Sequence, residues 1–175
     1  MAAQATMGIT IDRTAQARFR DLLDAHRGIV LKVASTYARS PEDRADLAQE
    51  IVAQCWRAFA KHDPARAFST WLYRIALNVA VSHRRSGEYR ERHTVALDEA
   101  LHDIGGDDGE RDERVTALYR VIDSFDPLNR ALLLLYLDER GQREIADILG
   151  LSETNVATKL GRLRQRLRKR LADHA

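Results

Sequence analysis

The chain of 175 residues is poor in the features that mark several protein classes. Its single cysteine, Cys55, excludes an intrachain disulfide framework and is typical of a reducing compartment. Nine glycines and three prolines exclude a collagen-like repeat. The longest purely apolar run, Ala131 to Leu137, has seven residues, whereas a membrane span needs roughly 20. The N-terminus lacks a signal-peptide pattern, so we expect a cytoplasmic protein without membrane insertion.

The formal net charge of +2 conceals a segregation of charge along the chain. Residues 12–92 carry 15 basic and 10 acidic groups, and residues 114–175 carry 12 basic and eight acidic groups. Between them, residues 93–113 carry one basic and eight acidic groups. This stretch has few large apolar residues and buries too little surface to offset its ordering entropy. The pattern predicts two small basic domains, 12–92 and 114–172, joined by a flexible acidic linker over 93–113.

Outside the linker, apolar residues recur at three- and four-residue steps, which predicts an all-α fold without a convincing strand. The first pattern is predicted as one helix and consists of Phe19, Leu22, Leu23, Ile29, Val30, Val33 and Tyr37. Ser40 and Asp126, each followed by proline, are typical of residues that cap the start of a helix. In the helix predicted over 69–85, the inward residues are expected to be Leu72, Ile75 and Val79.

The most informative segment runs from Gln142 to Arg170. A short helix ends at Gly150, and Ser152 is placed to cap a longer helix with an inward stripe. This is the helix-turn-helix layout, whose second helix enters the DNA major groove. Seven basic residues and no acid between positions 159 and 170 favour DNA binding in this context, although such a run alone can be a solvated face. Side chains suited to bases or phosphates are Asn155, Thr158, Lys159 and Arg162.

Five of the chain's 11 aromatic residues fall between positions 56 and 73, interleaved with basic residues. Rings among cations are typical of a single-stranded nucleic-acid site. The rings are those of Trp56, Phe59, Phe68, Trp71 and Tyr73. From the pattern alone, Phe59 and Phe68 are interpreted as core residues. Nucleic-acid contact is favoured for Trp71 and for the polar stripe Arg74, Asn78 and Arg85.

A third feature is an acidic face on the helix that follows Ser40. Asp43, Asp46 and Glu50 recur at i, i+3 and i+7, opposite the apolar stripe of that helix. This face is either an ordinary solvated surface or a docking site for a basic partner helix.

The sequence carries no pattern for catalysis or for a cofactor. The six histidines lack the paired spacing of metal ligands, and no phosphate loop or nucleophile motif is present. We therefore expect no metal, no cofactor and no enzymatic activity.

Taken in order, these motifs resemble those of bacterial sigma factors of the sigma-70 family, in the extracytoplasmic-function (ECF) group. Residues 46–86 look like the family's second region, and residues 128–167 look like its fourth region, a helix-turn-helix. The resemblance implies a protein that binds core RNA polymerase and directs it to promoters. It also implies that the acidic linker runs through the active-site cleft and the RNA exit path.

The same resemblance assigns roles to individual residues. Polymerase docking falls to Asp43, Asp46, Leu47, Gln49 and Glu50. Capture and support of the single-stranded −10 element fall to Lys61, His62, Arg66, Phe68, Trp71, Arg74, Asn78 and Arg85. Reading of the −35 duplex falls to Ser152, Thr154, Asn155, Thr158, Lys159, Arg162 and Arg166.

Some positions depart from the family pattern. Ala45 stands where an additional acid is usual, and Ala157 where a cation is usual. Gly161 interrupts the recognition helix, where it allows close approach to DNA or to another helix. Family members are commonly held inactive by an anti-sigma protein. The change at Ala45 suggests an alternative, in which a kinase restores negative charge nearby, at Ser35, Thr36 or Ser40.

Two other functions compete with this interpretation. A stand-alone helix-turn-helix regulator of duplex operators explains residues 127–170 but leaves the acidic face and the Trp71 region without a role. An enzyme acting on nucleic acid is disfavoured, since no site chemistry is visible.

Overall fold

The computed structural model describes residues 2–85, 118 and 120–172, with side chains described over 13–83, 118 and 120–170. All the regular elements in this part are helical, which confirms the all-α prediction there. The predicted linker over 93–113 lies outside the described residues. The helices are α1 (Ala2–Ala25), α2 (Arg27–Tyr37), α3 (Pro41–Phe59), α4 (Phe68–Arg85), α5 (Pro127–Leu137), α6 (Gln142–Leu149) and α7 (Glu153–Ala172).

A turn at His26 divides the first predicted helix in two. The His26 amide donates to the Leu23 carbonyl at 3.0 Å, and the ring Nδ1 lies 2.9 Å from the Leu22 carbonyl oxygen. The prediction of one unbroken helix was wrong because the turn preserves the apolar register. Phe19 before it and Val33 after it are both buried in the core.

The two predicted capping residues start their helices as expected. The Asp43 amide donates to Ser40 Oγ at 3.0 Å, and the Asn129 amide donates to Asp126 Oδ1 at 3.0 Å. Burial raises the pKa of the Asp126 carboxyl, but the hydrogen bonds from Asn129 outweigh burial and hold that pKa below its usual value. Each cap satisfies a backbone donor that the helix itself leaves unpaired.

Helices α2, α3 and α4 pack against one another as the N-terminal bundle. The face that α4 buries differs from the predicted one: Ile75 and Val79 are only partly buried, whereas Tyr73 and Leu77 lie in the core. The α4 helix is turned so that the Tyr73 hydroxyl donates to Asp138 at 2.8 Å. Tyr73 is fully buried, so its ring has no exposed face on which a base could stack.

Helix α5 is buried on all sides over its middle. Arg130, Ala131 and the four leucines at positions 132–135 are each 5% exposed or less. A helix that is apolar all round requires neighbours on all sides. Helices α6 and α7 cover one side of α5, and α2 of the N-terminal bundle covers another.

The N-terminal bundle and the helices α5–α7 therefore share one core. Besides the contact of α2 with α5, α4 packs against α6. Arg130, fully buried, bridges the junction: its guanidinium donates to the Thr36 carbonyl at 3.3 Å and pairs with Asp123 at 2.7 Å. The Tyr37 hydroxyl donates to the Pro127 carbonyl at 2.9 Å across the same junction.

We predict that Gly161→Ala stabilises the fold. Gly161 lies in the interior of α7, and an added Cβ would meet nothing within 4 Å. No described helix therefore packs so closely against this position that only glycine fits. Within a helix, alanine is favoured over glycine by about 1 kcal/mol. Urea unfolding should show a higher midpoint for Gly161→Ala and little change for Gln165→Ala, an exposed control on the same helix. A lower midpoint for Gly161→Ala would contradict this account.

Candidate nucleic-acid interface

Helices α6 and α7 meet in the tight turn that the sequence predicts. Gly150 has φ 66°, in the left-handed region that favours glycine at the end of a helix. The Leu151 amide donates a hydrogen bond to the Ala146 carbonyl at 3.0 Å, which closes the end of α6. The Asn155 amide donates to Ser152 Oγ at 3.2 Å, so Ser152 caps α7 as predicted. These contacts fix the angle at which α7 leaves α6.

The predicted recognition face of α7 lies opposite its buried stripe. Val156, Leu160, Leu163 and Leu167 are 9% exposed or less. On the outer face, the Thr158 hydroxyl donates to the Thr154 carbonyl of the same helix at 2.9 Å. Lys159 is half-buried, and the remaining predicted duplex-reading residues are exposed: Ser152, Thr154, Asn155, Thr158, Arg162 and Arg166.

Aromatic rings hold several arginines of α7 in place. The guanidinium carbons of Arg166 and Arg170 lie 5.1 and 4.6 Å from the Phe125 ring centre, and that of Arg164 lies 5.7 Å from the Tyr136 ring centre. Cation–π contacts of this kind orient a guanidinium while leaving its charge available. The basic run is therefore a partly ordered cationic surface, a suitable arrangement for phosphate contacts.

The loop between α3 and α4 borders an aromatic cluster. The His62 ring stacks on Phe59 with centres 6.0 Å apart, and it lies 4.9 Å from Trp71 and 5.6 Å from Phe68, edge to face. His62 Nε2 is buried without a hydrogen-bond partner. Burial, aided by the positive charge of Arg18, lowers the pKa of His62, whereas Asp63 acts in the opposite direction. The apolar cluster around His62 therefore disfavours the protonated form of its ring.

The other predicted −10 residues divide into exposed and buried sets. Phe68 is 7% exposed, which agrees with its interpretation as a core residue and leaves no ring face for a base. Trp71 is half-buried, and the side chain of Arg85 lies outside the described residues. Polar and basic side chains are exposed around the loop and along α4: Lys61, Arg66, Arg74 and Asn78.

The acidic face of α3 is solvent-accessible. Asp46 and Gln49 are exposed, and Asp43 and Glu50 are half-buried. The Gln54 amide donates to Glu50 at 2.7 Å, which orients that carboxylate. Leu47 differs from the other predicted docking residues, because it is 1% exposed and belongs to the core of the bundle. Its side chain supports the face from beneath and cannot touch a partner there.

Within the described part of the chain, no group of three metal-ligating side chains is assembled. Cys55 is buried, and burial raises the pKa of its thiol to about 12, so it is unreactive. None of the described helices is long and apolar enough to cross a membrane.

Comparison with known families accounts for both halves of this arrangement. Residues 22–89 match the model for sigma-70 region 2, and residues 116–167 match the model for sigma-70 region 4. The chain belongs to the sigma-70 family. It is an RNA polymerase sigma factor, a protein of transcription initiation rather than an enzyme.

Individual relatives place this sigma factor in the ECF group. It is 28% identical to the ECF sigma factor SigW of Bacillus subtilis, over 90% of this chain and 91% of SigW. It is 29% identical to the ECF sigma factor SigE of Mycolicibacterium smegmatis, over 98% of this chain and 68% of SigE. A solved structure of CnrH, a sigma factor of Cupriavidus metallidurans, with the cytosolic domain of CnrY has a TM-score of 0.67. That comparison has 25% identity and covers 91% of each chain.

Reasoning from sequence missed the polar residues between the two halves of the sigma factor. Tyr73, Asp138 and Arg140 meet there, and Arg130 is buried nearby. One signal was present, because Arg130 is followed by Ala131 and four leucines, a stretch that leaves the helix no polar face for an arginine. The contacts that cross between the halves, Tyr73 with Asp138 and Arg130 with the Thr36 carbonyl, join residues more than 60 positions apart in sequence, beyond the reach of a periodic pattern.

We predict that His62 makes the stability of this sigma factor depend on pH. A histidine whose pKa is lower in the folded chain stabilises the fold fully above its unfolded pKa, about 6.5. That stabilisation is lost as the pH falls through the folded pKa. His62→Phe keeps the stacked ring and removes the titration. The drop in urea midpoint from pH 7.5 to pH 5 should therefore be smaller for His62→Phe than for the wild type.

The matched control is His83→Phe, at an exposed position of α4. It should retain the pH dependence of the wild type. An equal pH dependence in the wild type and in His62→Phe would contradict a lowered pKa at position 62.

Proposed function

We propose that this sigma factor divides its work among three separate surfaces. The acidic face of α3 docks on core RNA polymerase, the α3–α4 loop with α4 holds the single-stranded −10 element, and α7 reads the −35 duplex. One observation supports this proposal most strongly. An acidic helix face, a basic loop bordered by aromatic rings and a helix-turn-helix are all exposed on one chain. The action of a sigma factor on chromosomal promoters also supports a cytoplasmic location.

Chemistry supports this assignment of surfaces. Exposed amides, hydroxyls and guanidiniums on α7 suit base edges and phosphates in a major groove. Around the loop, Lys61 and Arg66 can follow a strand while the exposed part of the Trp71 ring offers a stacking surface. An unstacked base held there would offset a few kcal/mol of melting. The polymerase supplies the chemistry of RNA synthesis, so this chain needs no catalytic group.

Docking is expected to depend on charge at the α3 face. We predict that Asp46→Arg and Glu50→Arg each weaken binding to core polymerase by about tenfold or more, because each places a like charge against a basic partner. Asp24→Arg is the matched control, since Asp24 is an exposed acid on α1. Binding can be measured by fluorescence anisotropy of the labelled sigma factor.

Each outcome of this measurement is informative. Loss of affinity in both α3 variants, with Asp24→Arg unchanged, supports docking through this face. Equal affinity in all four proteins would contradict it. A wild-type chain that binds duplex DNA tightly and ignores polymerase would instead support a stand-alone regulator.

A regulatory partner is a further part of the proposal, either an anti-sigma protein that holds this chain inactive or a kinase that activates it. Among the candidate phosphorylation sites, Thr36 is 5% exposed and donates to the Lys32 carbonyl at 2.7 Å, which hides it from a kinase. Ser40 is half-buried at the start of α3, close to Ala45. Negative charge is favourable at a helix N-terminus, so Ser40 is the site we favour.

We predict that Ser40→Asp strengthens polymerase binding several-fold, because it adds negative charge to the docking face while keeping a capping oxygen. Ser40→Asn is the control, since asparagine caps equally well without charge. The same anisotropy assay measures both. If Ser40→Asp and Ser40→Asn bind alike, activation by charge at this position is wrong.

A further inference from the structure

A polar network centred on Asp138 joins the two halves of the sigma factor just beyond the end of α5. The Asp138 carboxylate accepts hydrogen bonds from the Tyr73 hydroxyl of α4 at 2.8 Å and from Arg140 at 3.1 Å. It also forms an ion pair with Lys32 of α2. One carboxylate of the C-terminal half therefore holds two helices of the N-terminal bundle.

A second carboxylate extends this network along α6. Glu144 accepts a hydrogen bond from the Thr70 hydroxyl of α4 at 2.9 Å and pairs with Arg140 at 3.1 Å. The Arg140 guanidinium in turn lies 5.2 Å from the centre of the Tyr73 ring. We call these six residues the Asp138 network: Lys32, Thr70, Tyr73, Asp138, Arg140 and Glu144.

Burial makes the members of the Asp138 network depend on one another. Tyr73 is fully buried, and the Asp138 side chain is 12% exposed. Burial raises the pKa of the Asp138 carboxyl, but the hydrogen bonds from Lys32, Tyr73 and Arg140 outweigh burial and keep that pKa below its usual value. Removing the carboxylate would leave the Tyr73 hydroxyl buried without its acceptor, and an unpaired buried group is more costly than the hydrogen bond is worth.

The backbone beside Asp138 turns sharply at the end of α5. Glu139 has φ 57°, in the left-handed region, and closes the helix in a capping turn: the Arg140 amide donates to the Leu135 carbonyl and the Glu139 amide to the Tyr136 carbonyl, each at 3.0 Å. A cleft of 320 Å³ lined by Lys32, Asp138 and Arg140 also borders the network. Water in this cleft can replace the partners of the network once the two halves part.

With its two halves packed together, the chain is too small to contact both promoter elements at once. Elements at −10 and −35 are about 25 base pairs apart, or about 85 Å along the duplex. A compact chain of this length has a radius of gyration of about 16 Å, hence a diameter of about 40 Å. The two DNA-binding surfaces cannot reach both elements while the halves share one core.

We infer that the Asp138 network is a latch that keeps the free sigma factor closed and must be released before it binds polymerase and promoter. The inference rests on the proposed division of promoter binding between the two halves. A partner that binds only the open form has an apparent affinity equal to its intrinsic affinity multiplied by the fraction of the chain that is open. Weakening the latch should therefore strengthen polymerase binding, although it removes favourable contacts.

Energy transfer between two dyes on the full chain tests closure directly. The dyes are placed on cysteines introduced at the exposed positions Arg57 of α3 and Gln165 of α7. Native Cys55 is buried and stays unlabelled.

Transfer efficiency and affinity for core polymerase are compared in the wild type, Asp138→Ala, Tyr73→Phe and Asp147→Ala. Asp147, an exposed carboxylate of α6 outside the network, is the matched control. Circular dichroism confirms that helix content is unchanged.

We expect Asp138→Ala to lower the transfer efficiency and to raise polymerase affinity by about tenfold. Tyr73→Phe should shift both in the same direction by less, and Asp147→Ala should shift neither. Unchanged transfer in Asp138→Ala would overturn the latch. Lower transfer without a gain in affinity would also overturn it, because the network would then be structural only. A wild type that fails to bind polymerase would refute the proposed function, and the transfer measurement alone would then decide whether the network closes the chain.

Discussion

The structure depends on the burial of α5, a helix with no polar face over its middle. Four consecutive leucines and the preceding arginine and alanine point to every side of this helix, and all of them are buried. Burying a leucine is worth about 1.5–3 kcal/mol, so exposing one side of α5 would be costly. The helix-turn-helix formed by α6 and α7 covers part of this surface, and α2 of the N-terminal bundle covers another. One apolar helix thereby brings together two regions that are separate in sequence.

This constraint explains why polar groups gather where the halves meet. Arg130 has no route to solvent from the first turn of α5, and its terminal guanidinium nitrogens pair instead with the carbonyls of Thr36 and Phe125 and with the Asp123 carboxylate. A junction made of apolar packing together with hydrogen bonds and ion pairs resembles an interface between domains more than the interior of one. Such a junction can open when a partner offers equivalent contacts. For a sigma factor, which acts only when bound to polymerase on DNA, a reversible junction is more useful than a permanent one.

Sequence patterns predicted local features well and distant contacts poorly. The caps at Ser40, Asp126 and Ser152 and the glycine turn at Gly150 were predictable, because each depends on residues within four positions. The buried stripe of α7 was also predictable, whereas the face of α4 was not, since the orientation of Tyr73 is decided by Asp138, 65 positions away. Similarly, Leu47 and Phe68 were assigned to binding surfaces by family resemblance, yet both are buried. A resemblance identifies motifs but does not distinguish the side chains that touch a partner from those that support them.

Small-angle X-ray scattering of the purified free chain tests the shared core around α5 most directly. If the two halves are packed together, the radius of gyration should be close to the value of about 16 Å for a compact chain of this length. Two folded halves held about 40 Å apart would instead give roughly 23 Å. A value near the smaller figure is the result expected from a common core. A value near the larger one would show that α5 is covered by its own helix-turn-helix alone, and would contradict this account.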